Sequence, residues 1–315
     1  MNSIQIAIIG TGGIAHKAYF PLLAVMPNVQ VIAVHSHTKA NADAAASRWH
    51  IPFATDDLSA IITKKPDAAL VISSTASHFD ICKTLLGNGI DVYSEKSLTD
   101  ASQKSHALNM IAEKYNRILA VGFNRRYALL YQQAKEIIGA KPVKMALIQK
   151  HRTQASNSSL FEQYLDDTIH QIDLMRYYCG DVQALQTTYH MQNGVLVSAS
   201  STMRLPSGGL GLISICNHAG AWQESAVLHA EGVSVHIDAF QRLRVLNDDH
   251  EQVYGTDRAG KWIPSLEERG FFGEVDHFLQ CVRTRQQPMT SAEEAAKTQE
   301  LVEALVRSSG DELPF

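Results

Sequence analysis

Ile4-Gln-Ile-Ala-Ile-Ile-Gly10-Thr-Gly12-Gly13-Ile-Ala15 decides the fold, because a short apolar run here enters a Gly-x-Gly-x-x-Ala turn. With Ile4 to Ile9 as a buried parallel strand, each small residue has a mechanical task. Gly10 lets the chain turn tightly, Gly12 lets backbone approach a pyrophosphate, and Ala15 lets the next helix lie close on the sheet. The phosphates then meet free N–H groups at a helix N-terminus. The spacing alone is a weak signal, since glycines punctuate many loops. Its context strengthens it: the preceding run is strand-like, and Ile14 to Met26 reads as a helix ending at Pro27.

Outward from this turn the same alternation continues. Val29 to Val34, Ala68 to Ser73, Ile90 to Tyr93 and Ile118 to Gly122 read as strands, with helices at Ala40–Trp49, Leu58–Thr63, Phe79–Leu86 and Ala101–Tyr115. Such alternation implies a doubly wound parallel sheet covered on both faces, an α/β Rossmann domain over residues 1–123. Beyond residue 124 the pattern changes. Helices near Tyr127–Ile138 and Phe161–Tyr178 bracket a strand at Val143–Lys150, and a β-rich stretch follows from Val182 to Tyr254. Asn193-Gly194, Glu231-Gly232 and Asp248-Asp249 mark hairpin turns, because these residues tolerate positive φ. Helices near Gly273–Thr284 and Ala292–Arg307 close the chain. Residues 124–315 are thus expected to form an α+β domain with an open, mainly antiparallel sheet.

Composition narrows the function. A chain of 315 residues, 45% of them hydrophobic, is long for one domain. A formal charge of −4 leaves no broad basic footprint, so nucleic acid is not an expected partner. Cys82, Cys179, Cys216 and Cys281 form no Cys-x-x-Cys pair, which argues against a disulfide framework and a thiolate zinc site and fits a reducing cytoplasm. No apolar run has the length to cross a bilayer, so no membrane association is expected.

Two clusters carry the candidate chemistry. Glu95-Lys96 follows a strand at its carboxyl end, where ligands of an open α/β sheet collect. A lysine there can hold a substrate oxygen or relay a proton, or can be an ordinary solvated strand end. In Asp166-x-x-x-His170-x-x-Asp173, a regular helix puts all three side chains on one face and points Asp167 elsewhere. A carboxylate beside an imidazole tunes a general base for an alcohol. The same residues can also simply solvate a helix surface, and as metal ligands they lack a fourth partner, so no metal is expected.

Gly10-x-Gly12-x-x-Ala15, Glu95-Lys96, Gly122-Phe-Asn-Arg125-Arg126 and Asp166-x-x-x-His170-x-x-Asp173, in this order, resemble the Gfo/Idh/MocA family of nicotinamide-dependent oxidoreductases. The segments around Ser73–Phe79, Lys150–Arg152 and Leu266–Phe271 are similar to its MviM-like members. The resemblance spans the chain. It implies a catalytic set of Lys96 at the reacting oxygen, His170 as proton acceptor or donor, and Asp166 positioning substrate and His170. It implies that the dinucleotide meets Gly10, Thr11, Gly12, Gly13, Ile14, Ser36, His37, Lys39, Ser74, Thr75, His78, Glu95, Lys96 and Arg125. For substrate it points to Arg125, Arg152, Asp173 and His218, with the arginines and His218 hinting at an anionic compound. It further implies a homo-dimer or homo-tetramer through the C-terminal sheet. Ser97 stands where the family usually has proline, and Tyr164 and Thr168 where it usually has glycines, side chains expected to narrow the pocket.

The cofactor is read as NADP or NAD, with NADP favoured. An NAD site normally ends its second strand in an acid that accepts the ribose hydroxyls. Here the strand ends Val34-His35-Ser36-His37-Thr38-Lys39, with hydroxyls and positive charge but no carboxylate. The leading function is an NAD(P)-dependent dehydrogenase or reductase of a small polyhydroxylated, sugar-like substrate. The alternatives are an NAD-retaining glycosidase or lyase, and a non-catalytic dinucleotide sensor on the same fold.

Overall fold

The computed structural model describes residues 3–154, 159–255 and 265–315. The chain forms two units: one runs to Phe123 and includes Phe271–Ala296, the other comprises Asn124–Gly270 and Lys297–Phe315. Assigning all of 124–315 to one domain therefore needs correction, because residues 271–296 return to the first unit. The reason is long-range pairing. Val121 N donates to Thr290 O at 2.8 Å, Arg285 pairs with Asp91 at 2.5 Å, and Phe278 packs on Tyr93 with ring centroids 5.8 Å apart.

The first unit is built on β1 (Ile4–Ile9), β2 (Val29–His35), β3 (Ala54–Thr55), β4 (Ala68–Val71), β5 (Asp91–Ser94) and β6 (Leu119–Val121). All neighbours are parallel, in the order β3-β2-β1-β4-β5-β6. The strands are buried on both faces, as their unbroken apolar runs require; Ile6, Ile8, Leu70 and Val92 are wholly inaccessible. Each such side chain contributes about 1.5–3 kcal/mol by leaving water. Strand order reverses between β1 and β4, and the crevice at such a switch point is where ligands of this sheet type bind.

The second unit carries β7 (Val143–His151), β8 (Gln183–Gln192), β9 (Val195–Arg204), β10 (Leu210–Cys216), β11 (Gln223–Ala230), β12 (Val233–Asp238), β13 (Arg242–Asn247) and β14 (His250–Gly255). They form one sheet, β14-β13-β12-β11-β7-β10-β9-β8, antiparallel except where β7 meets β10. Asn193 and Gly194 join β8 to β9 with φ of 52° and 77°, the positive pair their sequence favours. On the helix-covered face, Ala146, Ile148, Ile213, Ala226 and Leu228 are buried, while Met145 and Leu210 on the opposite face are 39% and 48% exposed.

Two helices differ from expectation. Ile14 to Met26 is a π turn over Ala15–Tyr19 followed by a helix over Phe20–Val25, and Phe161 to Tyr178 is broken by a second π turn over Tyr164–Thr168. A π turn closes i→i+5 bonds and accommodates one extra residue, which periodicity alone does not reveal.

Candidate active site

In the first unit the glycine turn opens onto a cavity of about 500 Å³ at the β1/β4 switch point. Gly10 has φ +109°, and a Cβ there would lie 2.5 Å from Ile72 O, so no other residue fits. Nothing lies within 4 Å of the Cβ position at Gly12 or Gly13, which leaves the backbone open to a phosphate. Thr11 Oγ1 lies 2.8 Å from Ser36 Oγ, tying the turn to the end of β2. Ser36 and His37 line the cavity, as does Ser74, which precedes a helix over Thr75–Gly87. This cradle fits a dinucleotide: an open glycine backbone, helix N–H groups and hydroxyls are present together.

Other expected contacts lie elsewhere. Lys39 pairs with Asp43 on the exposed face of its helix and does not line the cavity. His78 is 1% exposed and sits between two backbone carbonyls, Ser97 O at 2.9 Å from Nδ1 and Ser73 O at 3.1 Å from Nε2, and the neutral ring can donate to one of them. The expectation that His78 lines the cofactor side is therefore corrected; it staples the loops after β4 and β5. Burial lowers its pKa. Conversely, His35, Asn41 and Ser77 line the cavity without having been expected there. The sequence pattern ends the strand at Val34 and leaves His35 beyond it; burial lowers the pKa of His35, which favours the neutral ring.

Glu95 and Lys96 lie at the carboxyl end of β5. Glu95 is 9% exposed; its Oε1 accepts from Tyr19 Oη at 2.6 Å and its Oε2 from the Lys96 backbone N–H at 2.9 Å. The carboxylate thus anchors the lysine through its own main chain. The Lys96–Ser97 peptide is cis.

The second unit contributes a buried charge network. Lys150 on β7 faces Glu224 on β11 across the ladder, with Nζ 3.6 Å from Oε1. Arg125 clamps Glu224 with two bonds, of 2.6 and 3.2 Å. Arg152 pairs in the same forked manner with Asp167, which also receives Lys150 Nζ at 2.7 Å. Paired forks of this kind hold both partners in fixed geometry. Arg125 and Arg152 are thus each paired with a carboxylate, Glu224 and Asp167. Burial, followed by the Arg125 charge, pushes the Lys150 amine down to about 8. Burial alone would raise Asp167, but Arg152 and Lys150 hold it well below the usual carboxylate range.

Along the helix, Asp166, His170 and Asp173 end in different surroundings. Asp166 is exposed, His170 is 7% exposed, and Asp173 is 1% exposed with its carboxylate clamped by Arg126 at 2.6 and 2.8 Å and bonded by Thr298 at 3.1 Å. Asp173 is thus a structural anchor rather than a substrate contact. The π turn ends at Thr168, so the regular alignment of Asp166 over His170 does not apply. Tyr164 does not narrow a pocket: it is wholly buried, its hydroxyl 2.7 Å from Ser201 Oγ on β9. His218 is exposed in the turn after β10. Among the described residues, no three His, Cys, Asp or Glu are grouped to hold a metal.

Residues 4–123 match the model of an oxidoreductase family with an NAD-binding Rossmann fold. YceM of Salmonella typhimurium (strain LT2) is 30% identical, over 98% of this chain and 99% of its own length. The scyllo-inositol 2-dehydrogenase (NAD(+)) of Bacillus subtilis (strain 168) is 22% identical, over 99% and 96%. The crystal structure of a dehydrogenase (MviM) from Clostridium difficile superposes with a TM-score of 0.88 at 25% identity, covering 97% of this chain and 99% of that one. The chain belongs to the Gfo/Idh/MocA family of NAD(P)-binding oxidoreductases. It is an enzyme of the dehydrogenase type.

Proposed function

We propose that this protein transfers a hydride between a nicotinamide and a secondary alcohol, or the matching ketone, of a small polyhydroxylated compound. The observation that carries the reading is the placement of Glu95–Lys96 at the carboxyl end of β5, in the same unit as the open glycine cradle. The inositol dehydrogenase among the relatives supports the substrate class. A bound nicotinamide supplies the redox step, and the protein supplies orientation and proton transfer. Lys96 would hold the reacting oxygen, His170 would take or return its proton, and Asp166 would help orient the substrate. The end of β2, with Ser36 and His37 and no acid, favours NADP over NAD. Four free cysteines fit a cytoplasmic protein, and the exposed apolar side chains of the second sheet's uncovered face fit a homo-oligomer formed there.

Parallel fluorescence titrations with NADPH and NADH, followed by turnover on a panel of inositols and sugars, test the reading. Saturable binding with NADPH preferred, and turnover lost by orders of magnitude in Lys96→Ala and His170→Ala with binding kept within a few-fold, is the expected result. Binding of neither dinucleotide, or wild-type turnover in either variant, overturns it.

A further inference from the structure

β1, β4 and β5 begin, at Ile4, Ala68 and Asp91, around a second cavity of the first unit, at the opposite end of the strands from the glycine cradle. Its volume is about 760 Å³, within the ordinary range of small-molecule sites. The charged side chains that line it are Lys65, Arg117, Arg283 and Arg285 against Asp67 and Asp91. Four cations thus face two carboxylates, in a chain whose formal charge is −4. A cleft with such an excess of one sign concentrates ions of the other.

The partners of each charge show where the excess lies. Arg285 forks onto Asp91, Nη1 2.5 Å from Oδ2 and Nη2 3.2 Å from Oδ1, and Nη2 also donates to Asn116 O at 2.8 Å. Arg117 donates to Gly89 O at 3.0 Å and Tyr115 O at 3.1 Å, with its Nε 3.9 Å from Asp91. These two arginines serve the negative ends of the helices over Thr75–Gly87 and Ser102–Lys114. Asp67 accepts the Gln5 N–H at 2.8 Å. Among the described residues neither Lys65 nor Arg283 has a carboxylate partner; Arg283 Nη2 reaches only Asn28 O, at a long 3.4 Å. Lys65 also holds a backbone position that suits it poorly. The left-handed residue past the other two helices is Gly89 or Asn116, the types that conformation favours, whereas past the helix over Leu58–Thr63 it is Lys65, at φ 50°.

We propose that this cavity is a binding site for a phosphate monoester, held by Arg283 and Lys65 with Arg117 and Arg285 beside them. Charge selects the class: a phosphate monoester carries about two negative charges near neutral pH, which matches the excess of cations over carboxylates. Its oxygens also suit the forked donors of arginine. The volume leaves room for the organic group that bears the phosphate. The occupant rests on the starts of β1, β4 and β5, the strands that lead at their other ends to Gly10, Ile72 and Glu95. It is therefore a ligand additional to the dinucleotide, bound without using the glycine cradle.

Calorimetric titration of the full chain with inorganic phosphate and with glycerol 2-phosphate, at fixed ionic strength and without dinucleotide, tests this. Both should bind saturably, at least tenfold more weakly in Arg283→Gln and in Lys65→Gln, and within a few-fold of wild type in Arg283→Lys, which keeps the charge. Gly12→Val, which obstructs the cradle, should leave this binding intact. Arg283 and Lys65 are exposed, so their variants should melt like wild type in chloride, and lost binding is then not lost fold. Absence of saturable binding, or equal affinity in wild type, Arg283→Gln and Lys65→Gln, overturns the proposal. Loss confined to Gly12→Val also overturns it, because the anion then sits in the cradle. No nicotinamide enters the measurement, so failure of the redox reading and failure of this proposal are seen separately.

Discussion

Lys150 Nζ grips Asp167 at two points, 2.9 Å from its carbonyl oxygen and 2.7 Å from Oδ1. Asp167 lies in the π turn over Tyr164–Thr168, immediately before the helix that begins Ile169-His170. A buried ammonium on the sheet thus braces the turn that leads into the candidate base.

The brace carries a pH signature. Lys150 titrates at about 8 in the folded chain and near its ordinary value, about 10.4, when unfolded. Between those values the unfolded chain binds more protons, so stability rises with pH, by up to about 3 kcal/mol, and the cost of the buried charge is fully present below about pH 8. Urea unfolding of wild type and Lys150→Met from pH 7 to pH 10 should show the difference between them moving in favour of wild type. A constant difference would mean that the amine is not desolvated. At the acid end the sign is opposite: Asp167 and Glu224 are held below their ordinary range, and their contribution is lost as pH falls from about 4.

Gly10 and Gly12 should fail in different ways. A side chain at Gly10 collides with the Ile72 carbonyl and must adopt φ +109°, whereas one at Gly12 meets open space. Gly10→Ala should therefore lower Tm, while Gly12→Val should leave Tm near wild type and abolish dinucleotide binding. Thermal melts and a fluorescence titration of both variants check this; normal binding by Gly12→Val would place the pyrophosphate elsewhere.

Asp173→Ala should damage the fold rather than turnover alone. It removes the carboxylate that accepts 2.8 and 2.6 Å bonds from the buried Arg126 guanidinium. Breaking a buried ion pair by removing one member costs about 3–5 kcal/mol. Equilibrium unfolding reads this directly; a loss below about 1 kcal/mol would show that the Arg126–Asp173 pair does not anchor the fold.

What the sequence reveals is what lies close along the chain. The Gly10–Ala15 turn and the Asn193-Gly194 hairpin are local, because each residue type answers a backbone demand made within a few positions. The Lys150–Glu224 pair depends on β7 and β11 becoming neighbours, and the return of residues 271–296 depends on pairing with Val121 and Asp91. Neither leaves a mark in periodicity. The partners of Arg125, Arg126 and Arg152 are hidden for the same reason: Glu224, Asp173 and Asp167 are brought beside them only by the fold. The π turns escape because they shift the register of side chains without changing the composition of the helix.

Ser36→Asp should reverse the dinucleotide preference. Ser36 follows the second strand directly beside the glycine turn, 5% exposed, with its hydroxyl 2.8 Å from Thr11 Oγ1, where NAD-specific sheets of this order place an acid. A carboxylate there accepts from ribose hydroxyls but faces a 2′-phosphate, and two charges 4 Å apart repel by about 4 kcal/mol at an effective dielectric of 20. Even partial screening leaves more than about a tenfold loss of NADPH affinity, since each tenfold is about 1.4 kcal/mol. NADH affinity should hold or rise. Titrating both reduced dinucleotides against wild type and variant decides it: a parallel loss of both would mark Ser36 as a support for Thr11 rather than a reader of the ribose, and no change in either would move the adenosine ribose away from β2.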